Sequence, residues 1–362
     1  MTNGIIDLDY KPHLPPKMDY GIAIVGCGAI VTAATLPCYR KHNLNIVGCY
    51  DIKPEASAAL GQKFGIPKVY RSLSDLLDDP KVEIVEIAVL PQYQLEIVRQ
   101  VAAARKPMLC QKPLSNTFAE ALEIVRLARE AHLKLAVNQQ MRWDPAVRAS
   151  RELIVQQRIG RPFDAMIQAS FFADLPGTVW AELPRYELLC HSIHYTDSIR
   201  FLFGDPEWVT CRLVGFPFEG KVSGETKTIT VLDYASGLQV LIAVNMCNPS
   251  DESFFTYRYI GTEGVISGTF GIRNYPYAEP DTLVWNSKRF HPEFRFEAKL
   301  EGTYFPDAFI GPIASLMESI QTGGVPQTDG SDNLRTLRII EAAYLSAFQN
   351  RSVRLTDVSI EL

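Results

Sequence analysis

The chain has 362 residues, is 47% hydrophobic and 21% charged, and carries a formal net charge of −5. This composition fits a globular protein with room for two domains, and the acidic balance, without any lysine–arginine block, argues against nucleic acid as the main partner. No apolar run reaches the roughly 18 residues that cross a bilayer. The seven cysteines are dispersed with no C-x-x-C pair, which predicts reduced thiols in a cytoplasmic protein, no disulfide frame and no zinc or other metal site.

Residues 1–18 are mixed polar, with Pro12, Pro15 and Pro16, and lack the basic start and apolar centre of a signal peptide. They read as an arm that reaches a neighbouring subunit. From residue 19 to 141 short apolar runs alternate with helical patterns. The runs are Ile22–Val25, Asn45–Tyr50, Ile84–Val89, Met108–Cys110 and Lys134–Val137; the helices are Ala29–Lys41, Pro54–Phe64, Leu73–Leu77, Gln92–Arg105 and Thr117–Ala131. This α/β alternation predicts a doubly wound parallel sheet of the Rossmann type, with strands covered on both faces. Residues 142–362 read differently. A helix over 145–157 leads into an extended Phe163–Ala173, then a helix over Tyr186–Phe203. Five β-like runs follow: Glu207–Val214, Lys227–Tyr234, Leu238–Asn245, Phe254–Ile260 and Gly264–Phe270. Helices over 306–321 and 332–349 close the chain. Adjacent strands joined by tight turns predict an α+β domain with a large, mainly antiparallel sheet.

The first apolar run ends in Gly26-Cys27-Gly28, and a helix starts at Ala29 and Ile30. A strand, glycine turn and helix in that order aim backbone N–H groups and the positive helix end at a phosphate. Val31 stands where the full fingerprint has a third small residue, and is expected to push the first helix off the strand. Asp51, followed by Ile52 and Lys53, closes the next strand, where a carboxylate accepts hydrogen bonds from an adenosine ribose. A carboxylate there repels a 2′-phosphate, so NAD is favoured, while Lys53 keeps NADP open. The other reading is a doubly wound fold that binds something else. Gln111-Lys112-Pro113 follows the Met108–Cys110 run at the edge where α/β sheets bind ligands. A lysine there contacts the nicotinamide ribose or assists deprotonation of a substrate hydroxyl; the alternative is a loop lysine in solvent.

Taken in order, Gly26-Cys-Gly28, Asp51, Ala88-Val-Leu90-Pro91, Gln111-Lys112-Pro113, Asn138-Gln-Gln140-Met-Arg142-Trp143 and Ile159-Gly160 resemble the glucose–fructose oxidoreductase/inositol dehydrogenase/MocA family. The likeness runs from about residue 20 to 355 and includes Gly261-Thr-Glu-Gly264 and Ile340-Glu-Ala-Ala-Tyr-Leu-Ser346. It implies an NAD(P)-dependent oxidoreductase acting on a sugar, polyol or derivative, and a homodimer or homotetramer formed through the second domain's sheet. It also implies Lys112 as the lysine beside the nicotinamide and the substrate hydroxyl, although Gln111 replaces the family's glutamate. His194 and Asp197 match a family histidine and the aspartate three residues later, while Cys190 occupies the place of an aspartate. Gln94 stands where many relatives have histidine, and with Asn138 faces the cofactor.

Histidine suits general-base work near neutrality. His191 and His194 lie three apart, so one helix would turn both imidazoles to one site. Ordinary packing and a His-x-x-His metal pair are the other readings, and the metal lacks further ligands. Arg142, Trp143 and Tyr304-Phe305 line the nicotinamide end or belong to the core. Gln140, Tyr186 and Cys190 are expected at the substrate, with Trp180 and Arg185 in a proline-marked loop beside them. The expected reaction is hydride transfer between nicotinamide and a secondary hydroxyl of a sugar, polyol or glycoside, with His194 as acid/base, Lys112 as electrostatic partner and His191 assisting. Two alternatives are an enzyme that retains NAD and cleaves glycosides through transient oxidation, and a dinucleotide-sensing regulator.

Overall fold

The computed structural model describes residues 8–215, 222–250, 252–272, 279–289 and 295–358; residues 1–7 of the expected arm lie outside them. In chain order the first elements are β1 (Ile22–Val25), α1 (Leu36–Lys41), β2 (Ile46–Tyr50), α2 (Pro54–Phe64), α3 (Leu73–Leu77), β3 (Ile84–Ile87), α4 (Pro91–Ala103), β4 (Met108–Gln111), α5 (Phe118–Glu130) and β5 (Leu135–Asn138). Then come α6 (Pro145–Val155), β6 (Pro162–Ser170), α7 (Ile193–Phe203), β7 (Trp208–Val214), β8 (Lys227–Asp233) and β9 (Gln239–Asn245). The last are β10 (Phe254–Gly261), β11 (Gly264–Thr269), β12 (Thr282–Ser287), β13 (Arg295–Lys299), α8 (Ile310–Thr322), α9 (Gly330–Gln349) and β14 (Val353–Arg354). The chain divides into two compact units. One holds Pro12–Gln140 and Phe305–Glu341; the other holds Met141–Tyr304 and Ala342–Val358.

In the first unit five parallel strands are ordered β2-β1-β3-β4-β5. Every residue of β1, β3, β4 and β5 is buried, as helices on both faces require. The chain winds from β1 to β2 on one side and places β3 on the other, so the crevice where doubly wound sheets bind ligands opens between β1 and β3. That is where the glycine turn lies. The helix after it does not run as a plain α-helix. Residues Val31–Thr35 form a π-turn, with the Leu36 N–H donating to the Val31 carbonyl five residues back. Pro37 follows, and it has no N–H to give while its ring would press on the carbonyl of Ala33; widening the turn relieves both. Val31 is fully buried against Ile24, Leu36 and Cys49. The bulky residue in the fingerprint's third small position is therefore accommodated as core. Helix α8 packs against β4 and β5.

In the second unit nine strands are ordered β13-β12-β11-β10-β6-β9-β8-β7-β14, every neighbouring pair antiparallel except β6 with β9. Alternate residues mark the core face: Val240, Ile242 and Val244 of β9 are buried, while Leu241 and Ala243 are partly exposed. Helix α6 packs on β11, β12 and α7. The strands β12, β13 and β14 have no counterpart in the sequence reading. The predicted helix over Tyr186–Phe203 is broken: Glu187–His191 is a π-turn, and α7 begins only at Ile193.

Candidate active site

The glycine turn is built by close backbone approach. Gly26 has φ +97°, and a Cβ there would stand 2.6 Å from the Ala88 carbonyl oxygen on the neighbouring β3–α4 connection, so only glycine fits. A Cβ on Gly28 would meet nothing within 4 Å, which leaves the space in front of the turn open. Asp51, at the end of β2, is tied to this turn. Its carboxylate accepts the Cys27 N–H at 2.7 Å through one oxygen and the Lys53 N–H at 2.9 Å through the other. The acid is thus held beside the turn by backbone donors, one on each side. The Ile52 side chain is 85% exposed and Lys53 is exposed; Ala29 is exposed and Ile30 partly buried.

The next cluster lies at the same carboxyl edge. Leu90 precedes α4 and Pro91 opens it, where a missing N–H costs nothing. Gln94 is fully buried, and its Nε2 donates to the carbonyls of Gln111 (2.7 Å) and Pro113 (2.8 Å). One amide therefore clamps the chain on both sides of Lys112, and Gln94 is a support for the lysine loop. The Gln111 side chain turns back on this loop, its Oε1 accepting the Lys112 N–H at 3.1 Å. Oε1 of Gln94, Nε2 of Gln111 and Oδ1 of Asn138 are buried without a hydrogen-bond partner among the described residues. Buried polar atoms are nearly always satisfied. Two of these atoms, at the ends of the adjoining strands β4 and β5, and the third on α4 lie at the carboxyl edge that also carries the open glycine turn and the anchored carboxylate, and a dinucleotide with amide, ribose and phosphate groups suits them. The residues present fit that cofactor.

In the second unit charged side chains find partners at two places, around Asp197 and around Glu187. Arg142, 4% exposed, forms a two-pronged ion pair with Asp197, fully buried, at 2.6 and 2.7 Å. The guanidinium expected to line the nicotinamide end is thus engaged with α7. His194 is buried with its ring edge-on to Tyr304. His191 lies on the preceding π-turn, a different local geometry from the single helix expected to present both imidazoles. Its Nδ1 is 3.3 Å from Oε1 of Glu187, and its ring packs against Phe171 and Tyr195. Tyr186 packs on Trp180, and burial raises its phenol above the usual range. Cys190 is buried with its Sγ toward the Arg185 carbonyl. Trp143 and Gln140 are buried, and Phe305 packs on Phe309. Glu187 escaped the sequence reading; its spacing of four before His191 was the available signal. No helix among the described residues is long and apolar enough to cross a membrane.

Comparison with known proteins covers both units. The family model described as "Oxidoreductase family, NAD-binding Rossmann fold" matches residues 20–139, and "GFO/IDH/MocA C-terminal domain" matches residues 147–267. D-apiose dehydrogenase from Paraburkholderia graminis is 28% identical over 357 residues, 94% of this chain and 90% of that protein. Trans-1,2-dihydrobenzene-1,2-diol dehydrogenase from Sus scrofa is 30% identical over 252 residues, 67% of this chain and 72% of that protein. A solved oxidoreductase from Agrobacterium radiobacter, in complex with NAD+, L-tartaric acid and magnesium, shares the fold. Its TM-score is 0.83 at 23% identity, covering 94% of this chain and 100% of that one.

Proposed function

Because the chain belongs to the glucose–fructose oxidoreductase/inositol dehydrogenase/MocA family of oxidoreductases, with an NAD-binding Rossmann fold, we propose that it oxidises a secondary hydroxyl of a sugar, polyol or glycoside with NAD. The observation that carries this reading is the glycine turn anchored to Asp51 at the same sheet edge as Lys112 and the unpartnered atoms Gln111 Nε2 and Asn138 Oδ1. The names of the full-length relatives support a polyhydroxylated substrate.

When bound, the dinucleotide supplies the acceptor for the hydrogen and electron pair leaving the carbinol carbon. The Gly26–Ile30 turn holds its phosphates by backbone N–H groups. Asp51 takes the adenosine ribose and disfavours a 2′-phosphate. Leu90, Pro91, Gln111 and Asn138 border the cofactor, with Gln94 fixing the lysine loop. Lys112 holds the reacting hydroxyl oxygen and stabilises negative charge developing on it. His194 takes the hydroxyl proton. His191, Gln140, Tyr186 and Cys190 orient the substrate. The outer face of the nine-stranded sheet, with Ile229 and Phe254 exposed, pairs with a second subunit; sedimentation of the purified protein tests that part.

The test of the reaction is a screen of polyols and sugars with NAD and, separately, NADP, following formation of reduced cofactor. The expected result is reduction with at least one polyol and a higher kcat/KM with NAD. Tight dinucleotide binding without reduction by any substrate would overturn the reading.

A further inference from the structure

Glu187 is fully buried in the second unit, and two hydroxyls donate to its carboxyl group. The Ser192 hydroxyl donates to Oε1 and the Thr228 hydroxyl, from β8, to Oε2. With both oxygens accepting, the group facing His191 Nδ1 at 3.3 Å is an acceptor. Glu225, the nearby second buried carboxylate, does not compete for the imidazole: it accepts the Tyr344 hydroxyl and the Leu188 N–H. Tyr195 and Cys211, also close to Glu187, are held protonated because burial raises both. The His191 ring cannot swing freely, since Phe171 packs at 5.1 Å and Tyr195 meets it edge-on at 5.3 Å. Its side chain is 23% exposed.

We infer that Glu187 is a positioning residue that fixes His191 with its hydrogen on Nδ1, so that Nε2 is presented as a hydrogen-bond acceptor for a substrate hydroxyl. The bond made by one ring nitrogen sets the state of the other. A site with a fixed acceptor selects a group that can donate. A substrate with a hydroxyl at that place binds; one with a carboxylate, a carbonyl oxygen or a phosphate dianion there meets a lone pair. The inference rests on the polyol reading for its ligand, and it names the chemistry that separates a polyol from an oxo acid. It assigns His191 to binding, leaving proton transfer to His194.

Two measurements test it, one of which needs no turnover. The chain has six histidines, so imidazole nitrogen chemical shifts of protein labelled with [15N]histidine, assigned by loss of a signal in H191Q, report the tautomer directly. The hydrogen is expected on Nδ1 in the parent protein, and E187A shifts it toward Nε2. A parent with the hydrogen on Nε2 overturns the proposal, whether or not any polyol is oxidised. The second measurement is a double-mutant cycle on the oxidised polyol. E187A raises KM for the polyol about tenfold, the worth of one hydrogen bond, with little change in kcat. In the H191Q background the same change leaves KM unaltered, because Glu187 acts only through the imidazole. An equal rise in KM with and without His191 would mean that Glu187 merely supports the fold. If E187A does not fold, the nitrogen shifts of the parent still decide. Absence of turnover with every polyol counts against the polyol reading alone.

Discussion

The two polar centres of this molecule are organised in opposite ways. Along the carboxyl edge of the parallel sheet, Gln111 Nε2 and Asn138 Oδ1 are buried with no partner among the described residues, and the space before Gly28 is open. Around His191 and Arg142, buried groups close on one another, with Glu187 accepting three contacts and Asp197 holding a guanidinium with both oxygens. A centre that must receive a ligand keeps polar capacity in reserve and is held mostly by backbone. A centre that must hold side chains at fixed angles spends its capacity internally. Mutations should therefore separate: those in the closed centre act on stability and orientation, those in the open one on ligand affinity.

The sharpest contrast is expected at the buried ion pair. Asp197→Ala leaves the Arg142 guanidinium uncompensated in the interior and should cost about 3–5 kcal/mol of stability. Thermal unfolding measures it, and dinucleotide affinity of the folded fraction should not change. Replacing both partners by leucine should recover most of the loss. If D197A unfolds like the parent, the closed centre is not structural in the sense argued.

Glu86 is a buried charge of the first unit that belongs to neither centre, and it offers a pH-dependent comparison. It sits on β3, where the Thr35 hydroxyl donates to it at 3.3 Å. Burial pushes its carboxyl up from 4.5 to about 7. Between those values the folded chain keeps a proton that the unfolded chain has lost. The stability it contributes is whole below about pH 4.5 and falls as pH rises to about 7. Glu86→Gln removes this dependence. The variant should match the parent in acid and exceed it by about 3 kcal/mol above pH 7. Denaturant titrations at pH 5 and pH 8 check this; equal stability differences at both would contradict it.

A smaller effect is expected in the open centre. Asp51→Ala removes the proposed acceptor for ribose hydroxyls and one anchor of the Cys27 N–H. Charge-assisted bonds of this kind are worth roughly 1.5–3 kcal/mol, so NAD should bind about 10–100-fold more weakly. NADP should lose less, because the repelling carboxylate is gone. Calorimetric titration with both dinucleotides tests this, and an equal loss for the two would remove Asp51 from cofactor choice.

The same contrast explains what was legible in the sequence. The parallel sheet and its glycine turn are written locally: each strand is a short apolar run, and Gly26, Asp51 and Lys112 each follow one directly. The antiparallel sheet was legible where alternation was regular, as in Gln239–Asn245. It was lost at Thr282–Ser287, a short strand whose partners are set across the sheet. The π-turn at Val31 depends on Pro37 being fitted into a continuing helix, an outcome of packing. The contacts of Glu187 with Thr228, and of Arg142 with Asp197, join residues 41 and 55 positions apart. No spacing rule reaches that far. Gln94 was placed at the cofactor edge by resemblance, and only the structure shows its amide clamping the lysine loop.

The central claim is that Lys112 and His194 act on the reacting hydroxyl while the glycine turn and Asp51 hold the dinucleotide. Its most direct test is kcat for Lys112→Ala and His194→Ala with the polyol that the parent oxidises, alongside the dissociation constant for NAD of each folded variant. The account predicts that kcat falls at least about 100-fold in each, in line with the loss of a positioned acid/base or electrostatic group, while NAD affinity stays within about threefold of the parent. Normal turnover by both variants, with cofactor still bound, would contradict it.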